Sequence, residues 1–161
     1  MRLRTLTAWA AVCAVLPGLF LAGCSGPRKV RLSLAGTENL NSCGGDQGNA
    51  LRVRVYKLSG DSKFSIASQE QIWRSDAGAL AGEVLQEEEY ILAPGQDTTL
   101  TITIESGDVS TLGVAGNFCE TKDSCWKWWN QVSKIRSFNI LTFGETCILE
   151  AEERMGEQKS E

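Results

Sequence analysis

Apolar and polar residues alternate with a period of two in several short runs of this chain. Val30, Leu32 and Leu34 alternate with Arg31 and Ser33. Leu51, Val53 and Val55 alternate with Arg52, Arg54 and Tyr56, and that run continues to Leu58 before Ser59-Gly60-Asp61 turns it. The clearest case is Leu100, Ile102 and Ile104 against Thr99, Thr101 and Thr103. Leu112, Val114 and Phe118 repeat the pattern, with Gly116 standing where a bulky residue would fit. FNILTFG and CILEAEE supply two more runs. In extended backbone every second side chain shares a face, so each run predicts a strand with one buried side.

The segments between these runs read differently. Residues 37–50, TENLNSCGGDQGNA, have no period and are rich in Asn and Gly, which predicts a long loop. Pro94-Gly95 predicts a tight turn. From residue 63 to 85 the period changes. Ser68 stands three residues before Gln71, the spacing of a capping box, with Ile72 and Trp73 to pack the short helix down. Asp76 is placed to open a second helical turn, with Leu80 and Val84 on one side of it. Six or seven short strands with little helix predict an all-β sandwich.

The chain opens MRLRTLTAWAAVCAVLPGLFLAGC. Arg2 and Arg4 precede a mostly apolar stretch over 5–22, which is the layout of an export signal. Pro17 and Gly18 interrupt that stretch, and a small-residue pair precedes Cys24. Leu21-Ala22-Gly23-Cys24 resembles the lipobox of bacterial lipoproteins. That resemblance implies cleavage after Gly23 and acylation of Cys24. One acyl chain anchors only marginally, at about 0.8 kcal/mol per buried methylene, whereas two or three hold firmly. In Gram-negative lipoproteins an Asp after the lipidated Cys tends to retain the protein at the inner membrane. Ser25 here implies the outer membrane, periplasmic face. The expected organisation is a signal at 1–23, a lipidated tether at 24–29, a β-sandwich domain at 30–150 and a polar tail at 151–161.

Without the first 23 residues the chain carries 14 basic and 20 acidic residues. It has no basic footprint for nucleic acid. It contains no histidine, so a Ser-His-Asp triad and histidine metal sites are excluded. No phosphate-cradling glycine motif occurs, and no cofactor or small-molecule substrate is expected. Paired carboxylates can hydrolyse glycosides, but Glu87, Glu88 and Glu89 are adjacent, would alternate across a strand, and read as a solvated edge or turn. The expectation is a protein without catalytic function. Trp126, Trp128 and Trp129 read mainly as core closure at one end of the sandwich, with a partner-binding or glycan-binding surface as the alternatives.

Cys43, Cys119, Cys125 and Cys147 form an even set in an oxidising compartment, which points to disulfides rather than zinc. Four cysteines allow three connectivities. Cys119 and Cys125 flank a short loop and are the easiest local pair, which leaves Cys43 with Cys147.

Several of these features in order resemble one family. A lipobox is followed closely by a Val-x-Leu-x-Leu strand and a polar Asn-containing loop. Then come Arg54-Val55-Tyr56-Lys57-Leu58, Phe64, Trp73, Pro94-Gly95, an alternating strand, Val114, Ala115, Phe118 and Trp126. Over roughly residues 21–150 the chain is similar to the TssJ family, the outer-membrane lipoproteins of the bacterial type VI secretion system. The resemblance implies a transthyretin-like β-sandwich with a short added helical segment. It also implies a non-enzymatic anchor that binds the periplasmic C-terminal region of the inner-membrane protein TssM. The loop after the first strand takes part in that contact in the family, which marks Leu40, Asn41 and Asp46 as contact residues here. Cys119 stands where family members often carry a basic residue. A pilotin-like chaperone and a glycan-binding module are the competing lipoprotein classes.

Overall fold

The computed structural model describes residues 26–74, 78–105 and 107–151. The readings for Cys24 and its signal, for Asp76 and for the tail from residue 152 fall outside them. Eight strands and two short helices follow in the order β1 (Arg28–Gly36), β2 (Leu51–Leu58), α1 (Ser62–Ile66), α2 (Gln69–Trp73), β3 (Val84–Leu92), β4 (Asp97–Ile104), β5 (Thr111–Gly116), β6 (Lys127–Gln131), β7 (Phe138–Phe143) and β8 (Ile148–Ala151).

The strands form two four-stranded sheets, ordered β4-β1-β7-β8 and β3-β2-β5-β6. All neighbours are antiparallel except β1 and β7, which run parallel. The predicted alternation sets the core. Val30, Leu32 and Leu34 of β1 are buried, and so are Leu51, Val53 and Val55 of β2. Leu141 and Phe143 of β7 meet them from the first sheet, and Leu112 and Val114 of β5 from the second. Two sheets closing on one apolar layer make this an all-β sandwich.

The helical segment lies over the second sheet. Every residue of β5 is buried, because β5 is central and covered on both faces. Phe64 of α1 is fully buried, 5.3 Å from the Tyr56 ring between centroids. It rests on Gly113, where an added Cβ would come within 2.9 Å of the Phe64 ring. The predicted capping box is present at α2: Gln71 N–H donates to Ser68 Oγ at 3.1 Å, and Ser68 N–H donates to Gln71 Oε1 at 2.8 Å.

Two strands were not legible as such. The start of β3 reads Val-Leu-Gln-Glu-Glu-Glu, and most of its residues are exposed. As an edge strand it is held by β2 and by charge instead of apolar burial. Arg52 donates to Glu89 at 2.8 and 2.9 Å, Arg54 donates to it at 2.9 Å, and Arg54 also pairs with Glu87 at 3.2 Å. The acidic run is therefore a charged strand edge, as the alternation argument expects. The other strand, β6, carries two of the clustered tryptophans and hides its pattern behind Lys127 and its aromatic neighbours.

Candidate functional site

Strand direction gathers four connections at one pole of the sandwich. These are residues 37–50 between β1 and β2, 93–96 between β3 and β4, 117–126 between β5 and β6, and 144–147 between β7 and β8. The first residue of β1 lies at the opposite pole, nine residues away along a nine-residue strand.

The long loop over 37–50 is built around Leu40 and Asn41. Leu40 is fully buried and belongs to the main core. The expectation that its side chain meets a partner is overturned: Leu40 pins the loop onto the sandwich from inside. Asn41 is 7% exposed. Its Oδ1 accepts the Cys119 N–H at 2.9 Å, and its Nδ2 donates to the Ala50 carbonyl at 3.3 Å. Its own N–H donates to Gly144 O at 3.2 Å. One side chain thereby joins the β1–β2 loop to the β5–β6 loop, while its backbone reaches the β7–β8 loop. Its φ of 51° lies in the left-handed region, which Asn tolerates better than most residues. The loop returns through Asn49, whose N–H donates to Leu40 O at 2.7 Å and whose Nδ2 donates to Asn41 O at 3.0 Å. Asp46, by contrast, is exposed near the loop tip.

The disulfides complete this arrangement, and they differ from the expected pairing. Cys43 is bonded to Cys119, with Cα atoms 5.6 Å apart, and Cys125 to Cys147, with Cα atoms 4.9 Å apart. Proximity along the chain misled. Cys119 and Cys125 bracket the β5–β6 loop, but each reaches outward to a different neighbouring loop. That loop is thus bolted on both flanks, by Cys119 to the β1–β2 connection and by Cys125 to the β7–β8 connection. In a chain-entropy estimate, loops of 76 and 22 residues stabilise by about 3–5 kcal/mol each.

The pole is acidic. Its connections carry the exposed residues Glu38, Asp46, Glu120, Asp123 and Glu145 against Lys122 alone. Ser42 Oγ donates to Glu145 Oε1 at 2.9 Å, another tie between two loops. The β5–β6 loop is the part of this surface that sequence reading missed. Its signal was present as two cysteines bracketing Glu-Thr-Lys-Asp-Ser, a run too polar for a strand.

The tryptophans serve mainly as structure. Trp126 is buried, and Trp128 Nε1 donates to Glu150 Oε2 at 2.9 Å, closing the side of the sandwich where β6 and β8 are the edges. Between them Lys127 is 6% exposed. Its Nζ donates to the carbonyls of Phe64, Ser65 and Ala67 at 2.9, 2.8 and 2.7 Å and lies 5.0 Å from the Trp126 ring centre. It fastens the C-terminal end of α1 to the sheet. Burial pushes its ammonium below the usual lysine range. Among the described residues no group of three or more acidic, cysteine or histidine side chains is placed to hold a metal ion.

These features define a disulfide-braced β-sandwich that presents a rigid loop surface at one pole. The family model for type VI secretion lipoproteins (VasD, EvfM, TssJ) matches residues 28–143. The chain belongs to that family of type VI secretion lipoproteins. Among solved structures it is similar to the type VI lipoprotein TssJ1 from Pseudomonas aeruginosa, at 25% identity and a TM-score of 0.66, covering 78% of this chain and 95% of that one. It is also similar to Serratia marcescens Lip, titled a membrane-bound component of the type VI secretion system, at 17% identity and a TM-score of 0.70 over 79% of this chain and 98% of that one. A chain in a structure titled "T6SS protein TssM C-terminal domain (869-1107) from EAEC" matches at 15% identity and a TM-score of 0.69, over 78% and 98%. No curated protein sequence matches.

Proposed function

We propose that the protein is a non-enzymatic outer-membrane lipoprotein that anchors the type VI trans-envelope complex. In this reading Cys24 carries the lipid, and the acidic loop pole binds the periplasmic C-terminal region of a TssM-like inner-membrane protein. The observation that carries it is the polarity of the sandwich. Cys24 stands four positions before Arg28 in the sequence, and Arg28 opens β1 at the pole opposite the braced loops. An anchor at one end leaves the loop surface facing away from its membrane, toward the periplasm. Rigidity suits docking, since a loop already fixed by the Cys43–Cys119 disulfide and Asn41 loses little conformational entropy on binding. The titles of similar structures name the TssM C-terminal domain and a type VI membrane complex, which supports a partner of that kind.

In this reading Leu40 and Asn41, both buried, hold the loop from beneath, and the exposed Asp46, Gly45 and Gln47 are the contact surface offered to the partner. The anchor half of the reading is tested by mass spectrometry of the N-terminal peptide and by density-gradient fractionation. An acylated Cys24 in outer-membrane fractions is expected. An unmodified Cys24, or fractionation with the inner membrane, contradicts it.

A further inference from the structure

The pole next to the anchor carries its own charge pattern, opposite to that of the loop pole. Arg28, Lys29 and Arg31 of β1 and Lys134 and Arg136 of the β6–β7 connection are all exposed. The backbone draws them to one corner. The Arg28 guanidinium donates to the carbonyls of Val132 and Ile135, tying the 132–137 connection to the start of β1. Arg31 N–H donates to Ser137 O at 2.8 Å, and its guanidinium lies 5.1 Å from the Phe138 ring centre. The ion pairs found among the described residues involve Arg52, Arg54 and Arg74, so none of these five cations has a carboxylate partner there. One acidic group borders the corner: Glu105 follows Ile104, the strand partner of Arg28, and forms no ion pair with these cations among the described residues. Glu105 and Asp108 follow β4, while Asp61 and Glu83 belong to the helical side, where Glu83 accepts the Lys63 N–H at 3.0 Å.

We propose that this corner is a second membrane determinant that binds the anionic headgroups of phospholipids in the leaflet holding the anchor. The proposal rests on the lipid-anchor reading for its geometry. Cys24 and Arg28 are four positions apart in the sequence, a span of at most about 14 Å at full extension. The negative surface potential of a leaflet decays over a Debye length, about 8 Å at physiological salt. Even at full extension the tether keeps the corner within about two Debye lengths of the anchored residue, and each lysine or arginine that reaches the surface strengthens binding about fivefold. The remaining surface is net acidic and is repelled. Attraction at one corner and repulsion elsewhere turn the sandwich so that its loop pole points away from the membrane. The lipid fixes where the protein is, and the corner fixes which way it faces.

The test uses the chain from residue 24 onward with Cys24→Ser, so that vesicle binding reads the corner without the lipid. Co-sedimentation is measured with vesicles of phosphatidylcholine alone and of phosphatidylcholine mixed with phosphatidylglycerol. Binding to the mixed vesicles only, lost at high salt, is expected. Lys134→Gln with Arg136→Gln should weaken it about 25-fold, while Lys122→Gln at the other pole leaves it unchanged. Near-ultraviolet circular dichroism checks that each variant is folded. Equal binding to both vesicle types, or an equal effect of Lys122→Gln, overturns the proposal. So does equal binding to polyglutamate, which would make the partner an acidic polypeptide. Affinity for the TssM fragment should survive the double substitution, and its loss would assign the corner to that partner instead. An unmodified Cys24 would remove the anchor reading without altering the vesicle result.

Discussion

Asn41 shows how much one residue organises. Its side chain satisfies a part-buried N–H and a part-buried carbonyl from two loops, and its backbone takes a conformation that most residues resist. Asn41→Ala leaves both groups without their partner and keeps the unfavourable φ. We expect it to lower stability by about 1–3 kcal/mol in urea denaturation, with the disulfides intact. A change of a few tenths would mean that water replaces the amide without cost. The two tyrosines make a second case. Desolvation on burial, reduced by the Arg54 hydrogen bond, pushes the Tyr56 phenol up to about 12. Tyr90, desolvated and donating to Glu88, is likewise pushed up to about 12. A raised phenol contributes stability that is present below its unfolded pKa near 10 and is lost as pH rises toward 12. Titration followed by tyrosinate absorbance should show no transition near pH 10 while the fold persists. A full transition there would place both rings in water. Glu89 runs the other way: its hydrogen bonds from Arg52 and then Arg54 lower it to about 2. Its ion pairs therefore persist through mild acid and weaken only as pH falls toward that value, with a small effect on stability because the site is exposed.

At the scale of elements, the braced β5–β6 loop is the main departure from what the sequence alone conveys. Non-reducing peptide mapping should recover Cys43 linked to Cys119 and Cys125 linked to Cys147. Recovery of Cys119 linked to Cys125 would contradict the packing of three loops at this pole. Strands with a buried face, such as β1, β2 and β4, were legible because alternation records burial directly. The α2 capping box was legible because its hydrogen bonds are local. Edge strand β3 was not, since Arg52 and Arg54 hold its glutamates without any apolar signature. Lys127 was not, because its partners are carbonyls some 60 residues away. Disulfide partners were not, because they depend on which loops the sheet order makes neighbours. The contact role given to Leu40 failed for a related reason. A single leucine in a polar loop reads equally well as a protruding anchor or as an inward plug, and only the packed core decides between them.

The whole molecule is a two-ended object. Its acidic, disulfide-braced loops and its cationic corner lie at opposite ends of β1, and the proposed lipid residue, Cys24, stands four positions ahead of β1 in the sequence. The central claim is that the loop pole is the docking surface for the TssM periplasmic region. Isothermal titration of the soluble domain with a purified C-terminal fragment of the cognate TssM tests it directly. Asp46→Arg combined with Gln47→Arg alters only exposed positions at the loop tip and leaves the core, Asn41 and both disulfides in place. The account predicts that this pair weakens binding at least tenfold, about 1.4 kcal/mol. Unchanged affinity in a folded, correctly disulfide-bonded variant would contradict the account and move the interface off the loop tip.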